Sequence, residues 1–178
     1  VSVKEVTRLE VSKDAPTVVV LDCGCKANIL RSLLWRGLNV VRVPHDHYFL
    51  GIDYDGLLIS NGPGDPKMCT ESVRNVEHAL AVGKPILGIC LGNQILGLAM
   101  GATTYKLRFG HHGGNQPVKD LATGKVEITS QNHNFVVDLE SLKKTEHGAD
   151  LEVSHINLND NTVEGMRHTT LPPLRVQY

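Results

Sequence analysis

Cys90 lies between two glycines in Gly88-Ile89-Cys90-Leu91-Gly92, where a short apolar run gives way to a helical pattern. This is the strand–turn–helix context of a nucleophile elbow, with a thiol in place of a hydroxyl. Glycines permit a sharp turn that brings neighbouring backbones close and leaves little room for β-carbons. At a helix N-terminus the dipole favours thiolate over thiol, and the Leu91 amide would face a developing oxyanion. A buried structural cysteine is the competing reading. Two more segments stand at strand ends. Ser60-Asn61-Gly62-Pro63-Gly64-Asp65-Pro66 is a rigid turn whose exposed amides suit a carboxylate or an oxyanion, although alone it reads as an ordinary Gly/Pro loop. Gln131-Asn132-His133-Asn134-Phe135 is a polar cluster at a strand junction that alone reads as a loop with capping side chains.

The elements around these segments must place them together. Thr17 to Leu21 is a continuous β-branched run, expected as a strand buried on both faces. Ile29, Leu30, Leu33 and Leu34 follow at helical spacing up to Gly37. Strands are expected at Asn39 to Val43, Gly56 to Ser60 and Pro85 to Ile89. Between the last two, a helix runs from an N-cap at Thr70 to Gly83, and another follows the elbow from about Leu91 to Met100. Alternation of this kind predicts an α/β fold, an open and mostly parallel sheet with helices on both faces. After Gly101 the pattern turns to short strands: Thr103 to Lys106, Lys125 to Ser130, Phe135 to Val137, Glu152 to His155 and Leu174 to Tyr178. In such sheets the chemistry gathers beyond the carboxyl ends of the strands.

Composition narrows the classes. The 178 residues are 41% hydrophobic, with 18 basic against 19 acidic side chains and a formal charge of −1. That balance lacks the basic footprint of nucleic-acid binding, and the apolar content is too high for a disordered chain. Cysteines at 23, 25, 69 and 90 form no disulfide framework, and residues 1 to 15, rich in Lys, Glu, Arg and Asp, do not resemble a signal peptide. A reducing cytoplasm is the expected compartment. The longest apolar stretch, Ile86 to Ala102, is short for a membrane span and interrupted by Asn93 and Gln94.

Taken together, the three segments resemble the glutaminase domain of the class I (triad) glutamine amidotransferases. Within that group they are similar to the small-subunit branch of carbamoyl-phosphate synthetase. The Ser60–Pro66 loop and Cys90-Leu91-Gly92-Asn93-Gln94 match the class broadly; Asp22 to Arg31, Phe109 to Val118 and the run ending at Phe135 match that branch. The resemblance extends from about Thr17 to Tyr178. It implies that Cys90 attacks the side-chain amide of L-glutamine, forming a glutamyl thioester and releasing ammonia. Leu91 and Gly62 would give backbone amides to the oxyanion, and Gly64, Gln94, Asn132, Asn134 and Phe135 would stand at substrate positions. Ammonia would pass to a large synthetase subunit, which uses ATP, magnesium and bicarbonate to make carbamoyl phosphate for arginine or pyrimidine synthesis. No cofactor is expected in this chain. Other readings are another triad amidotransferase, of the anthranilate- or GMP-synthetase type, and a non-catalytic scaffolding homologue, against which the cysteine at the nucleophile position argues.

Two positions depart from the family pattern. Asn93 stands where the family commonly has His, and altered packing is expected there. Asn134 replaces a common Gly before Phe135; Asn tolerates a left-handed backbone, so the loop is expected to survive. The family's general base, a His followed by Pro and Glu after a strand ending V-Q-Y, has no counterpart here, since the sequence ends R-V-Q-Y. A base contributes about 10²–10⁴-fold, so this segment by itself is expected to be nearly inactive. Residues 1–14 are expected to be a connector from an upstream domain, and 15–178 the amidotransferase domain, continuing into His-Pro-Glu. His111 and His112 are expected to be structural, and His133 is not expected to replace the base. Cys23-x-Cys25 and His45-x-His47 lack a second ligand pair at zinc spacing, so no metal site is expected. No G-x-G-x-x-G opens a helix after the first strand.

Overall fold

In the computed structural model, residues 1–145 and 151–169 are described, together with the strand at 173–176. Among the described residues, ten strands form one sheet, starting at the edge with β1 (Thr7–Leu9), in the order β1-β3-β2-β4-β5-β10-β9-β8-β6-β7. The strands β2 (Thr17–Asp22), β3 (Asn39–Pro44), β4 (Gly56–Ile59) and β5 (Ile86–Ile89) run parallel, joined on the far side of β5 by β10 (Pro173–Val176). Beyond β10 the sheet is antiparallel through β9 (Val163–His168), β8 (Leu151–Asn157), β6 (Thr104–Asp120) and β7 (Val126–Val137).

Side chains of a strand alternate between faces, so a continuous apolar run needs cover on both. Val20, Val40 and Leu58 meet helix α1 (Ala27–Trp35) through Ile29, Leu30, Leu33 and Leu34. The opposite face presents Val19, Leu21, Val41, Leu57 and Ile59 to α2 (Thr70–Val82) and α3 (Leu91–Ala99). Leu21, Ile59, Ile95 and Leu96 are fully buried, and each contributes about 1.5–3 kcal/mol by leaving water. The expected α/β sheet with helices on both faces is found. The short-strand region is part of the same sheet, and α4 (Leu139–Leu142) follows its β7 strand.

Several local expectations are corrected. Residues 1–14 include a strand that was not expected: β1 (Thr7–Leu9) pairs antiparallel with β3 at the sheet edge. Asn39 secures this strap, its Oδ1 accepting from the Val11 and Ser12 amides while its Nδ2 donates to the Ser12 and Ala15 carbonyls. Cys69 rather than Thr70 occupies the N-cap of α2, since the preceding 3-10 turn Pro66–Met68 runs directly into the helix. The short strand expected at Thr103 to Lys106 is the start of the 17-residue β6, which runs on through Phe109 to Val118 and absorbs its polar middle through register shifts against β7. Gln131–Phe135 likewise lies within β7 and not in a loop. Gln177 and Tyr178, the end of the last expected strand, lie outside the described residues.

Candidate active site

The turn after β5 is strained in the way an elbow requires. Cys90 has φ 52° and ψ −109°, and helix α3 begins at the next residue. A β-carbon on Gly92 would sit 2.1 Å from the Ile59 carbonyl oxygen, and one on Gly88 would sit 2.6 Å from the Gly92 oxygen. The elbow therefore packs backbone on backbone against β4. Gly62 obeys the same constraint, with a β-carbon 2.1 Å from the Cys23 oxygen. This contact presses the Ser60–Pro66 turn onto the end of β2.

Asp22 organises that end. It is fully buried; Oδ1 accepts from the Gly24 and Cys25 amides at 2.8 and 2.6 Å, and Oδ2 accepts from the Val3 amide at 3.1 Å and pairs with Arg42 at 2.7 Å. Burial pushes its carboxyl up, but these amides and the guanidinium outweigh burial and hold it below the usual carboxylate value. Ser60 is tied in as well, its Oγ accepting from the Cys23 amide at 3.0 Å. The two turns that flank Cys90 are thus anchored to β2.

A cavity of about 200 Å³ opens at the elbow, lined by Gly62, Pro63, Gly64, Cys90, Leu91, Gln94, Asn132, His133, Asn134 and Phe135. Every residue expected at the site meets here. Gln94, buried on the first turn of α3, donates from Nε2 to the Phe135 carbonyl at 2.6 Å and so links helix to β7. Asn132 and Asn134 are exposed on one face of β7, where His112 of β6 reaches both side-chain oxygens, at 2.9 and 3.2 Å. Asn134 does not use a left-handed backbone; Gly110 across the ladder does, at φ 69°, because the irregularity falls on β6. Asn93 is fully buried in α3. A larger cavity of about 610 Å³, lined by residues 1–4, Cys23, His45, His47 and Cys69, shares Pro63 and Leu91 with this one.

The expected predisposition of Cys90 toward thiolate is corrected. Burial raises its pKa above the usual thiol value, outweighing the lowering by the Leu91 amide and Lys26, and Glu164 adds to the rise. Ionisation of Cys90 needs a partner that takes its proton.

Sequence reasoning missed a buried cluster in the antiparallel half. His111 of β6 joins Glu164 of β9 through Nδ1 at 3.0 Å and Asp160 through Nε2 at 2.8 Å. His133 of β7 meets the His111 ring edge-on, with centroids 4.9 Å apart. His111, His133 and Glu164 place donor atoms within 4.8 Å of one another, a set that could hold a metal ion. Hydrogen bonds already engage both His111 nitrogens, and His133 Nδ1 donates to the Phe135 carbonyl at 3.1 Å. The donors are spread over three strands, so no short motif announces them. His111, expected to be structural, is buried on β6.

The site thus combines an open α/β sheet, a strained cysteine elbow and a Gly-Pro-Gly turn facing it. The chain belongs to the class-I glutamine amidotransferase family, whose model matches residues 19–178. The carbamoyl phosphate synthase small chain of Aquifex aeolicus is 53% identical over 93% of this chain and 44% of its own length. That of Methanocaldococcus jannaschii is 52% identical over 100% of this chain and 49% of its own length. The chain thus spans about half the length of the curated relatives it matches. Among solved structures, a GMP synthase subunit from Thermoplasma acidophilum superposes with a TM-score of 0.76 at 22% identity, covering 93% of this chain and 84% of that one. A glutamine amidotransferase from Thermotoga maritima gives 0.70 at 15% identity, covering 93% and 76%. At these identities the likeness is one of fold.

Proposed function

We propose that this chain is the glutamine-hydrolysing part of a carbamoyl-phosphate synthetase small subunit. The supporting observation is the convergence of Gly62, Gly64, Leu91, Gln94, Asn132, Asn134 and Phe135 on one cavity with Cys90 at its strained elbow. Cys90 Sγ attacks the side-chain amide carbon of glutamine, and the oxyanion that forms takes hydrogen bonds from the Leu91 and Gly62 amides. The C–N bond then breaks, and ammonia leaves with the proton taken from the thiol. Water attacks the thioester, giving glutamate and restoring Cys90. Gln94, Asn132, Asn134 and Phe135 hold the amino-acid part of the substrate.

A base carried just beyond the carboxyl end of β10 would be placed to take the Cys90 proton. The register supports this: Val176 of β10 is level with Ile89, the residue before Cys90, and the strands run parallel. Chain leaving β10 therefore starts at the same edge of the sheet as the elbow. Ammonia is used by a large synthetase subunit that holds ATP, magnesium and bicarbonate. The compartment is the cytoplasm, which suits four cysteines outside any disulfide.

The test is Cys90→Ser in the full-length protein with its synthetase partner. Glutamine-dependent carbamoyl phosphate synthesis is expected to disappear while ammonia-dependent synthesis by the partner continues. Persistent use of glutamine would remove Cys90 from its role. Anthranilate or GMP formation by the wild-type complex would assign a different branch of the family.

A further inference from the structure

Behind the glutamine cavity, buried His111, Asn157 and Glu164 connect to His133, which lines the cavity and holds one carbonyl. The chain starts at Asp160, whose Oδ2 meets His111 Nε2 at 2.8 Å. His111 Nδ1 meets Glu164 Oε1 at 3.0 Å, and Asn157 Nδ2 donates to the same oxygen at 3.3 Å. Glu164 Oε1 lies 3.9 Å from His133 Nε2, beyond hydrogen-bond reach, whereas Gln131 Oε1 lies 3.1 Å from that nitrogen and the His111 ring packs edge-on against His133 at 4.9 Å. On the other side of the His133 ring, a carbonyl oxygen can only accept, so Nδ1 carries the proton it shares with Phe135 at 3.1 Å. That carbonyl is the one Gln94 also holds, at 2.6 Å.

This arrangement is costly unless it does something. Glu164 is fully buried, and its second oxygen has no hydrogen-bond partner among the described residues. An apolar side chain in β9 would fill the space without that penalty. The His133 ring is held by the Phe135 carbonyl on Nδ1, by Gln131 on Nε2 and by the edge of the His111 ring, which Glu164 and Asp160 orient.

We propose that Glu164 is a positioning residue for the glutamine cavity: with His111 and Asp160 it fixes the His133 ring, which holds the Phe135 carbonyl against Gln94 and thereby sets glutamine affinity. Glu164 touches neither substrate nor the reacting atoms and acts through His133. The inference rests on the glutaminase reading above. Loosening the relay lets the Phe135 carbonyl and the Gln94 side chain move relative to each other, so binding suffers while the Cys90 elbow, held by the backbone contacts of Gly88 and Gly92, stays formed.

The experiment measures ammonia release from glutamine by the full-length protein in complex with its synthetase partner, for wild type, Glu164→Ala, Glu164→Gln and Asp160→Asn. Glu164→Ala is expected to raise KM for glutamine about tenfold, the equivalent of one displaced hydrogen bond, with kcat changed less than about threefold. Glu164→Gln keeps the size and an acceptor for Asn157 and is expected to restore KM to within about threefold of wild type. Asp160→Asn, at the half-exposed end of the relay, keeps the fold safe if Glu164→Ala yields no folded protein, and is expected to raise KM about threefold. Unchanged KM in Glu164→Ala, or in Asp160→Asn where the first variant does not fold, overturns the proposal. So does a fall confined to kcat, or a Glu164→Gln variant as impaired as the alanine variant. Absence of glutamine hydrolysis by the wild-type complex would instead strike the glutaminase reading itself, so the two failures are separable.

Discussion

The two halves of the sheet build their shares of the site by different means. In the parallel half, backbone geometry positions the chemistry: Cys90 is aimed by a strained turn clamped against β4, and the facing turn is pressed onto β2 through Gly62. Its interior is mostly apolar, with Leu21, Phe49, Ile59, Ile95 and Leu96 fully buried and Asp22 as its buried charge. In the antiparallel half, buried polar side chains do the positioning, through the relay from Asp160 to the Phe135 carbonyl. A backbone device tolerates no added atom but is indifferent to pH. A polar device tolerates isosteric exchange but answers to protons.

The sharpest way to break this contrast is in the parallel half. Leu96→Ala is expected to cost about 2–5 kcal/mol, with the same loss at pH 5 and pH 8 by denaturant titration. Gly92→Ala should cost about 1–3 kcal/mol through overpacking against Ile59, and it should cut glutamine turnover of the full-length enzyme more than it raises KM. Asp22→Asn should cost about 1.5–3 kcal/mol, because charged hydrogen bonds to buried amides are lost. The lowered pKa of Asp22 means that its stabilisation is present above the usual 3.8 and fades as pH falls below it.

The antiparallel half is expected to reveal itself through slopes. Burial pushes Glu164 up to about 7 from 4.5, against the lowering by Asn157 and His111. Between those values the native state holds a proton that the unfolded chain has released, so stability falls as pH rises. Burial, with His111 beside it, brings His133 down to about 4 from 6.5. There the unfolded chain holds the extra proton, and stability rises with pH. The two slopes oppose each other from about pH 4.5 to 6.5, and the wild type should be nearly flat in that window. His133→Asn should expose a fall with pH, and Glu164→Gln a rise, each approaching about 1.4 kcal/mol per pH unit. Parallel wild-type and variant profiles would dissolve the distinction between the halves. The smallest effect is expected at the half-exposed Arg167–Glu152 pair, 2.7 Å apart across β8 and β9: Arg167→Ala should cost below about 1 kcal/mol.

The same contrast explains what could be read from the residues alone. Apolar runs such as Thr17–Leu21 and helical spacings such as Ile29 to Leu34 report burial directly, so the parallel half and its elbow follow from pattern. Gly62 and Cys90 were recognisable because a turn and an elbow need particular residue types at fixed spacing, whereas Gln94 and Phe135 followed only from the family resemblance. Glu164, Asn157 and His111 were not, since each is an unremarkable polar residue until strand pairing brings it inside. The middle of β6 misled for a related reason: glycines and histidines signal a loop, whereas bulged pairing with β7 keeps them in the ladder. Residues 1–14 lack an apolar period because their attachment to the edge of β3 is through backbone and Asn39.

The position of β10 also governs the order in which the molecule can be assembled during synthesis. Residues 173–176 form the seam between β5 and β9, so both are edge strands until that stretch has left the ribosome. The N-terminal five strands can collect their helices early, but the partner that joins them to the rest arrives last and pairs across a long loop of chain. Until then two unprotected edges coexist in one nascent molecule, the situation in which strands pair with the wrong neighbour. Completing the sheet late ties formation of the joined Cys90 and Phe135 surfaces to the emergence of a single four-residue strand.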